Sequence, residues 1–346
     1  MSRVLLIELS DSHAEVFSPV QKFLQEAGYN VDLFVTEKYP VSGAGVIKRV
    51  PGKNRISQLL SLNRFIRSEN YNNLYFNTAE GLSVRDFCFL NYFNKLQICG
   101  TLHQAKKLNG SFTQKVISSK IKNYFVLAEY IKEYVEKSGL KNKVEYFYPL
   151  CPAKKLINGE LLTITVPGEI ALWRRDYMWL AGFIKDNIDI LENKIRFIFL
   201  GSSDNPEGRS VIDFIAGNNL QHIIRYYDKY VLAGEFENIM RSTDLIFPLL
   251  NPGAGEYESY RSTKISGAFN LSMNYKIPML LNADYKDVID FNNISLYYDK
   301  DNFRDVIKSL DRNLINSLAS NFENDVRFSY EYQSNKFRKF VNKIFI

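Results

Sequence analysis

At 346 residues, with 46% apolar and 24% charged side chains and a formal net charge of +6, the chain is too long for one core and too apolar for disorder. No apolar run approaches the roughly 20 residues of a membrane-spanning helix, and Arg3-Val4-Leu5-Leu6-Ile7-Glu8 reads as a short strand rather than as part of a signal peptide. Cys88, Cys99 and Cys151 lack metal spacing and cannot all pair, which suits packing roles in a reducing cytoplasm.

A strand at Val4–Leu6 leads to a helical pattern over Val16–Ala27, a turn at Gly28-Tyr29-Asn30 and a strand at Val31–Val35. Further strands are expected at Asn73–Phe76, Leu96–Cys99, Tyr124–Leu127 and Val144–Tyr148. Short apolar runs separated by helical patterns indicate parallel strands with crossover helices. The alternation pauses at Pro149-Leu150-Cys151-Pro152, and the basic, polar stretch to Glu160 reads as a linker. It restarts with strand Leu162–Val166, helix Tyr177–Ile190, strand Ile195–Leu200, helix Val211–Ala216 and strand Ile223–Tyr226. Helix Glu235–Ser242, strand Leu245–Phe247, helix Lys264–Asn274 and strand Met279–Leu281 complete the series.

The expected fold is α/β, with two Rossmann-like doubly wound domains facing a cleft: residues 1–155, residues 156–325, and a terminal helix within 326–346. That helix carries Phe337, Phe340, Val341 and Ile344 at i, i+3, i+4, i+7, a stripe expected to pack back on the first domain, with an anionic membrane as the alternative. Residues 1–160 hold 22 Lys and Arg against 14 Asp and Glu, whereas residues 161–346 hold 22 against 24. The basic half suits an anionic membrane surface or a phosphate-bearing acceptor, or is a solvated helical face.

Ligands of doubly wound sheets bind beyond the carboxyl ends of the strands, so the loops after strands carry the chemistry. After Leu245–Phe247, the run Arg261-Ser262-Thr263-Lys264-Ile265-Ser266-Gly267-Ala268 reads as a helix start. Its small residues Ser266 and Gly267 would let a diphosphate approach backbone N–H groups, with Lys264 and Arg261 adding charge; alternatively Ser266 simply caps its own helix. After Leu162–Val166, Gly168 leaves room for a phosphate or sugar, and Arg174 or Arg175 could bind phosphate oxygens bidentately, while one of the two is a structural ion-pair residue. Tyr230, after Ile223–Tyr226, is available to stack on a nucleobase or is packing.

His13 and His103 each follow a strand and are candidates for taking a proton from an acceptor hydroxyl or bonding a donor sugar; His222 is structural. Asp11 and Glu15 could orient or replace His13, or cap the next helix. No Cys/His set, EF-hand loop or strand-borne Asp-x-Asp is present, so no metal is expected and Arg and Lys take its charge role. The absence of Gly-x-Gly-x-x-Gly and of a P-loop disfavours dehydrogenase and nucleotide-hydrolase functions.

Taken together, the halves resemble a GT-B glycosyltransferase, and the second half is similar to glycosyltransferase family four over Thr163–Arg175, Phe197–Gly201 and Ile223–Pro278. The family's two glutamates are replaced here by Thr263 and Leu271, with Glu256 or Glu258 from the preceding loop as a substitute for the first, so retention or inversion stays open. In inverting GT-B enzymes a base from the first domain activates the acceptor, the place His13 or Asp11 would take; His103 resembles the histidine that contacts the donor sugar in retaining ones. The resemblance implies transfer of a sugar from a UDP- or GDP-linked donor to a glycan or lipid-linked acceptor in bacterial polysaccharide or glycoconjugate assembly. It also implies a metal-independent, cytoplasmic protein at the inner membrane face with no nucleic-acid partner. A non-catalytic nucleotide-sugar-binding partner of a glycan-assembly complex and a nucleotide-sugar epimerase are the alternatives.

Overall fold

The structure is a computed structural model that describes residues 2–41, 45–51, 54–150 and 159–345. Cys151 and most of the expected linker, residues 151–158, lie outside the described residues. The chain divides into two compact units: Met1–Pro149 with Ser262–Ile265 and Tyr330–Ile346, and Leu150–Arg261 with Ser266–Ser329.

The first unit is built in chain order from β1 (Arg3–Glu8), α1 (Ala14–Glu26), β2 (Asn30–Thr36), β3 (Ile47–Val50), α2 (Arg55–Ser68), β4 (Asn73–Phe76), α3 (Leu82–Leu90) and β5 (Gln97–Thr101). α4 (Lys107–Gly110), α5 (Phe112–Lys120), β6 (Asn123–Val126), α6 (Glu129–Lys137) and β7 (Lys143–Tyr146) follow. All seven strands are parallel, in the order β3-β2-β1-β4-β5-β6-β7. Strand β1 is buried from Val4 onward because helices cover both faces, which is why it reads as a continuous apolar run. Strand β3 escaped sequence reading: Ile47-Lys48-Arg49-Val50 is an edge strand whose two central residues are exposed, so it carries little apolar signal.

The second unit contains β8 (Leu162–Pro167), α7 (Tyr177–Asp186), α8 (Ile188–Leu191), β9 (Ile195–Ser202), α9 (Pro206–Gly217), β10 (Ile224–Tyr227), α10 (Ala233–Arg241) and β11 (Leu245–Ile246). α11 (Gly267–Tyr275), β12 (Met279–Asn282), β13 (Ser295–Tyr298), α12 (Phe303–Ser309) and α13 (Arg312–Asn324) complete it. Its six strands are parallel in the order β10-β9-β8-β11-β12-β13, the doubly wound arrangement in which strand order reverses beside the first strand. The single helix expected over Tyr177–Ile190 is broken at Asn187, whose amide donates to Phe183 O at 2.9 Å while its Oδ1 accepts from Arg304 Nε at 2.7 Å.

The terminal helix α14 (Tyr330–Val341) belongs to the first unit. Phe337 is fully buried, stacked on Phe125 with centroids 4.4 Å apart and edge-on to Phe147 at 5.3 Å. Tyr330 and Ser334 donate to the two oxygens of Glu26 on α1, at 2.7 and 2.5 Å. The apolar stripe of this helix is thus core, not a surface for lipid.

Candidate functional site

In the first unit the loops after β1, β4 and β5 meet at the carboxyl edge of the sheet. Parallel pairing of β1 with β4 and of β4 with β5 sets their ends side by side. There the rings of His13 and His103 stack, with centroids 3.6 Å apart and planes 16° from parallel. His103 is buried, its Nε2 3.0 Å from Asn77 O, and its backbone N–H donates to Glu80 Oε1 at 2.9 Å. With Nε2–H donating to that carbonyl, Nδ1 is the ring's free acceptor. Burial first, and His13 second, push its pKa down to about 3, so His103 stays neutral near physiological pH.

His13 is half-exposed and lies in the left-handed region at φ 62°, a conformation costly for a residue with a Cβ and held here by its surroundings. Its carbonyl accepts from Asn77 Nδ2 at 3.3 Å, and its Nδ1 lies 3.6 Å from Glu15 Oε1. The carboxylate beside His13 is therefore Glu15, while Asp11 is turned to Thr36, whose hydroxyl donates to Asp11 Oδ1 at 2.5 Å. Beneath the pair, buried Glu8 gathers Ser10 N–H at 2.9 Å, Ser10 Oγ at 2.8 Å, Asn77 Nδ2 at 2.9 Å and Thr78 Oγ1 at 2.6 Å. Burial raises its pKa against the pull of these four bonds. Sequence reading missed Glu8, Asn77 and Thr78, because nothing local marks a strand-end glutamate and an Asn-Thr pair as partners.

In the second unit the loop after β8 holds Gly168 at φ 106° against the guanidinium of Arg175: an added Cβ would lie 2.7 Å from Nη2. Arg175 is buried, its Nε donates to Pro248 O at 3.2 Å, and it forms a bridge with Leu250, so it fastens this loop to the one after β11. It is the structural member of the pair. Arg174 is half-buried, with its guanidinium carbon 5.3 Å from the centroid of the Tyr260 ring and its Nε without a hydrogen-bond partner among the described residues. Tyr260, which the sequence did not single out, also donates to Glu256 Oε2 at 3.5 Å. Arg174 and Glu256 thus share one aromatic neighbour. Tyr230 stands in the loop after β10 with 80% of its surface exposed.

Helix α11 begins at Gly267, not at Lys264. Residues 262–265 form a turn leading into an isolated bridge and belong to the first unit: Ala105 N–H donates to Thr263 O at 2.8 Å, Lys264 bridges Gln104, and Tyr130 donates to Lys264 O at 2.7 Å. Backbone bonds to that sheet's loops replace the helical ones, which displaces the helix start by three residues. Arg261 closes the preceding turn and pairs with Glu258 at 3.1 Å. Ser266 occupies the N-cap but its side chain caps nothing: Oγ is fully buried with no partner among the described residues. In the next turn Asn270 Oδ1 is likewise buried and unpartnered.

No protein-family model matches the chain, and no curated protein matches it in sequence. Solved structures do match in shape over nearly the whole chain. Anabaena HepE, in complex with UDP-glucose, superposes with a TM-score of 0.70 at 9% identity, covering 99% of this chain and 100% of that one. The catalytic domain of starch synthase IV from Arabidopsis thaliana, bound to ADP and acarbose, gives 0.66 at 10% identity over 99% of both. A putative UDP-N-acetylglucosamine 2-epimerase from Listeria monocytogenes gives 0.63 at 12% identity over 96% and 94%.

The fold is GT-B.

Within it, the second unit's Gly168 turn, Arg174 and the start of α11 follow strands β8 and β11, and the histidine pair follows β1 and β5 of the first.

Proposed function

We propose that this GT-B protein is a glycosyltransferase that moves a sugar from a nucleoside-diphosphate donor, UDP- or GDP-linked, to a hydroxyl of a glycan or lipid-linked acceptor. The observation that carries the reading is the start of α11. A helix N-terminus favours negative charge, and here it comes with a buried serine hydroxyl that caps nothing and so has hydrogen-bonding capacity for a ligand. Arg174 adds a guanidinium for phosphate oxygens, and Tyr230 a face for the base.

In the reaction the acceptor oxygen bonds to the anomeric carbon, the bond from that carbon to the diphosphate oxygen breaks, and the nucleoside diphosphate leaves with the electron pair. Fixed dipoles and Arg174 oppose the charge that develops on it. The acceptor proton passes to a base, for which His13 with Glu15 is the candidate. Neutral His103 supports its ring and is the candidate contact for the donor sugar. No divalent ion enters this scheme, so turnover should persist in EDTA. We place the protein on the cytoplasmic side of a membrane, where a lipid-linked acceptor would lie.

The test is binding followed by turnover. UDP, GDP and their sugars are screened by thermal shift, since a ligand of the native state raises the unfolding temperature by mass action. Transfer from the best donor is then followed by product analysis, and the anomeric NMR signal of the product reads retention or inversion. Donor conversion without an acceptor would favour an epimerase, a reading supported by the Listeria likeness. Binding without turnover across donors would favour a non-catalytic partner, which Thr263 and Leu271 in place of the family's glutamates would explain. No binding of any nucleotide would overturn the proposal.

A further inference from the structure

The outer surface of the first unit's α2, α3 and α5 carries an aromatic patch that no part of the proposed chemistry uses. Phe89 and Leu90 end α3, Tyr92 and Phe93 follow in the turn, and Phe112 opens α5. Phe93 is 93% exposed, Phe112 76% and Phe89 74%, and Ile56 and Leu60 of α2 are exposed as well. Phe89, Leu90, Tyr92 and Phe93, all exposed within one five-residue stretch, make a local apolar patch of the kind that marks an interaction site.

The turn that presents the rings is firmly tied. Asn91, buried between them in sequence, donates through Nδ2 to Asn63 Oδ1 of α2 at 2.7 Å and to Phe87 O at 3.0 Å, and its Oδ1 accepts from Asn94 Nδ2 at 2.6 Å. Lys120 of α5 donates to Tyr92 O at 3.2 Å and also to Asn94 O. The Tyr92 and Phe93 rings meet edge to face at 5.2 Å. Polar groups thus fix the backbone of the turn while the side chains of Tyr92 and Phe93 are left exposed to solvent.

Charge narrows the choice of partner. Residues 54–122 contain ten Lys and Arg against three Asp and Glu. All three acids are engaged: Glu69 with Arg3, Glu80 with Lys107, and Asp86 with Arg55 and Arg85. Arg64, Arg67, Lys95, Lys115 and Lys122 are exposed without a carboxylate partner among the described residues. Exposed aromatic rings on elements that also carry exposed cations without carboxylate partners among the described residues match a bilayer whose interface accepts the rings and whose anionic headgroups meet the cations.

We propose that the α2–α3–α5 surface docks the protein on an anionic lipid bilayer, with Phe89, Tyr92 and Phe93 entering the interface. The inference rests on the membrane-side placement proposed above but not on sugar transfer, and a donor-free assay separates the two. Full-length protein is floated with vesicles of phosphatidylcholine alone or with about 30% phosphatidylglycerol. Binding is expected to the anionic vesicles only, and to weaken between about 0.1 and 0.5 M salt. Phe89→Ser/Phe93→Ser should lower partitioning about tenfold or more with an unchanged melting temperature, and Lys95→Glu/Lys122→Glu should do so independently. Wild-type protein left unbound by anionic vesicles at low salt would overturn the proposal. So would equal binding by the variants, or a dimer in sedimentation that Phe89→Ser/Phe93→Ser dissolves, since the patch would then cover a second copy.

Discussion

Replacing Gly168 with alanine would set a methyl group 2.7 Å from Arg175 Nη2 and 3.1 Å from its Cζ and Nη1, on a backbone at φ 106°. Two costs add. A left-handed backbone costs an L residue roughly 1–2 kcal/mol. The guanidinium must also move, and since Arg175 is buried and bonded to Pro248 O at 3.2 Å, losing that contact costs about 1–3 kcal/mol more. The expected destabilisation is therefore about 2–5 kcal/mol. In an Arg175→Ala background nothing remains to be displaced, so the same glycine substitution should cost only the backbone share, a coupling of about 1–3 kcal/mol. Denaturant unfolding of the four proteins in the cycle measures it directly. An equal cost of Gly168→Ala in both backgrounds would refute the idea that the guanidinium forbids a side chain there, and with it the assignment of Arg175 as the structural arginine.

Arg174→Ala should weaken nucleoside-diphosphate binding by about tenfold or more, read by titration calorimetry, while leaving the melting temperature of the free protein nearly unchanged. His103 should show no protonation above pH 4 in an NMR titration of the three histidines, with the proton on Nε2, because burial and His13 hold its pKa at about 3. Its folded pKa lies below the unfolded one, so the unfolded chain binds the extra proton; this share of stability is present above about pH 6.5 and is lost on acidification toward pH 3, at about 1.4 kcal/mol per unit. Glu8, raised by burial, works in the opposite sense, its share fading as pH rises through its folded pKa, so the difference between wild type and His103→Gln isolates the histidine. Phe337→Ala should cost about 3–5 kcal/mol, since it removes the ring stacked on Phe125 and opens a cavity beneath α14; loss below 1 kcal/mol in thermal or denaturant unfolding would mean that the helix is not part of the core.

Apolar runs such as Val4–Leu6 and Ile195–Leu200, each followed by a helical period, were enough to place both doubly wound sheets from the sequence, because a strand buried on two faces writes its environment into consecutive residues. Strand β13, Ser295-Leu296-Tyr297-Tyr298, and edge strand β3 write it only faintly, since part of each faces away from the core. The loops after strands were legible as the candidate site for a topological reason: parallel crossovers collect them at one edge. Partnership was not. Arg174 and Arg175 are adjacent and alike, and only the packing of Gly168 and Pro248 decides which guanidinium is buried. The start of α11 was set by hydrogen bonds from Ala105 and Tyr130, far away in the chain, and the stacking of His13 on His103 by the register of β1, β4 and β5. Local periodicity follows from burial of each element by itself, whereas these choices depend on which distant group arrives, and that is settled only when the sheets are assembled.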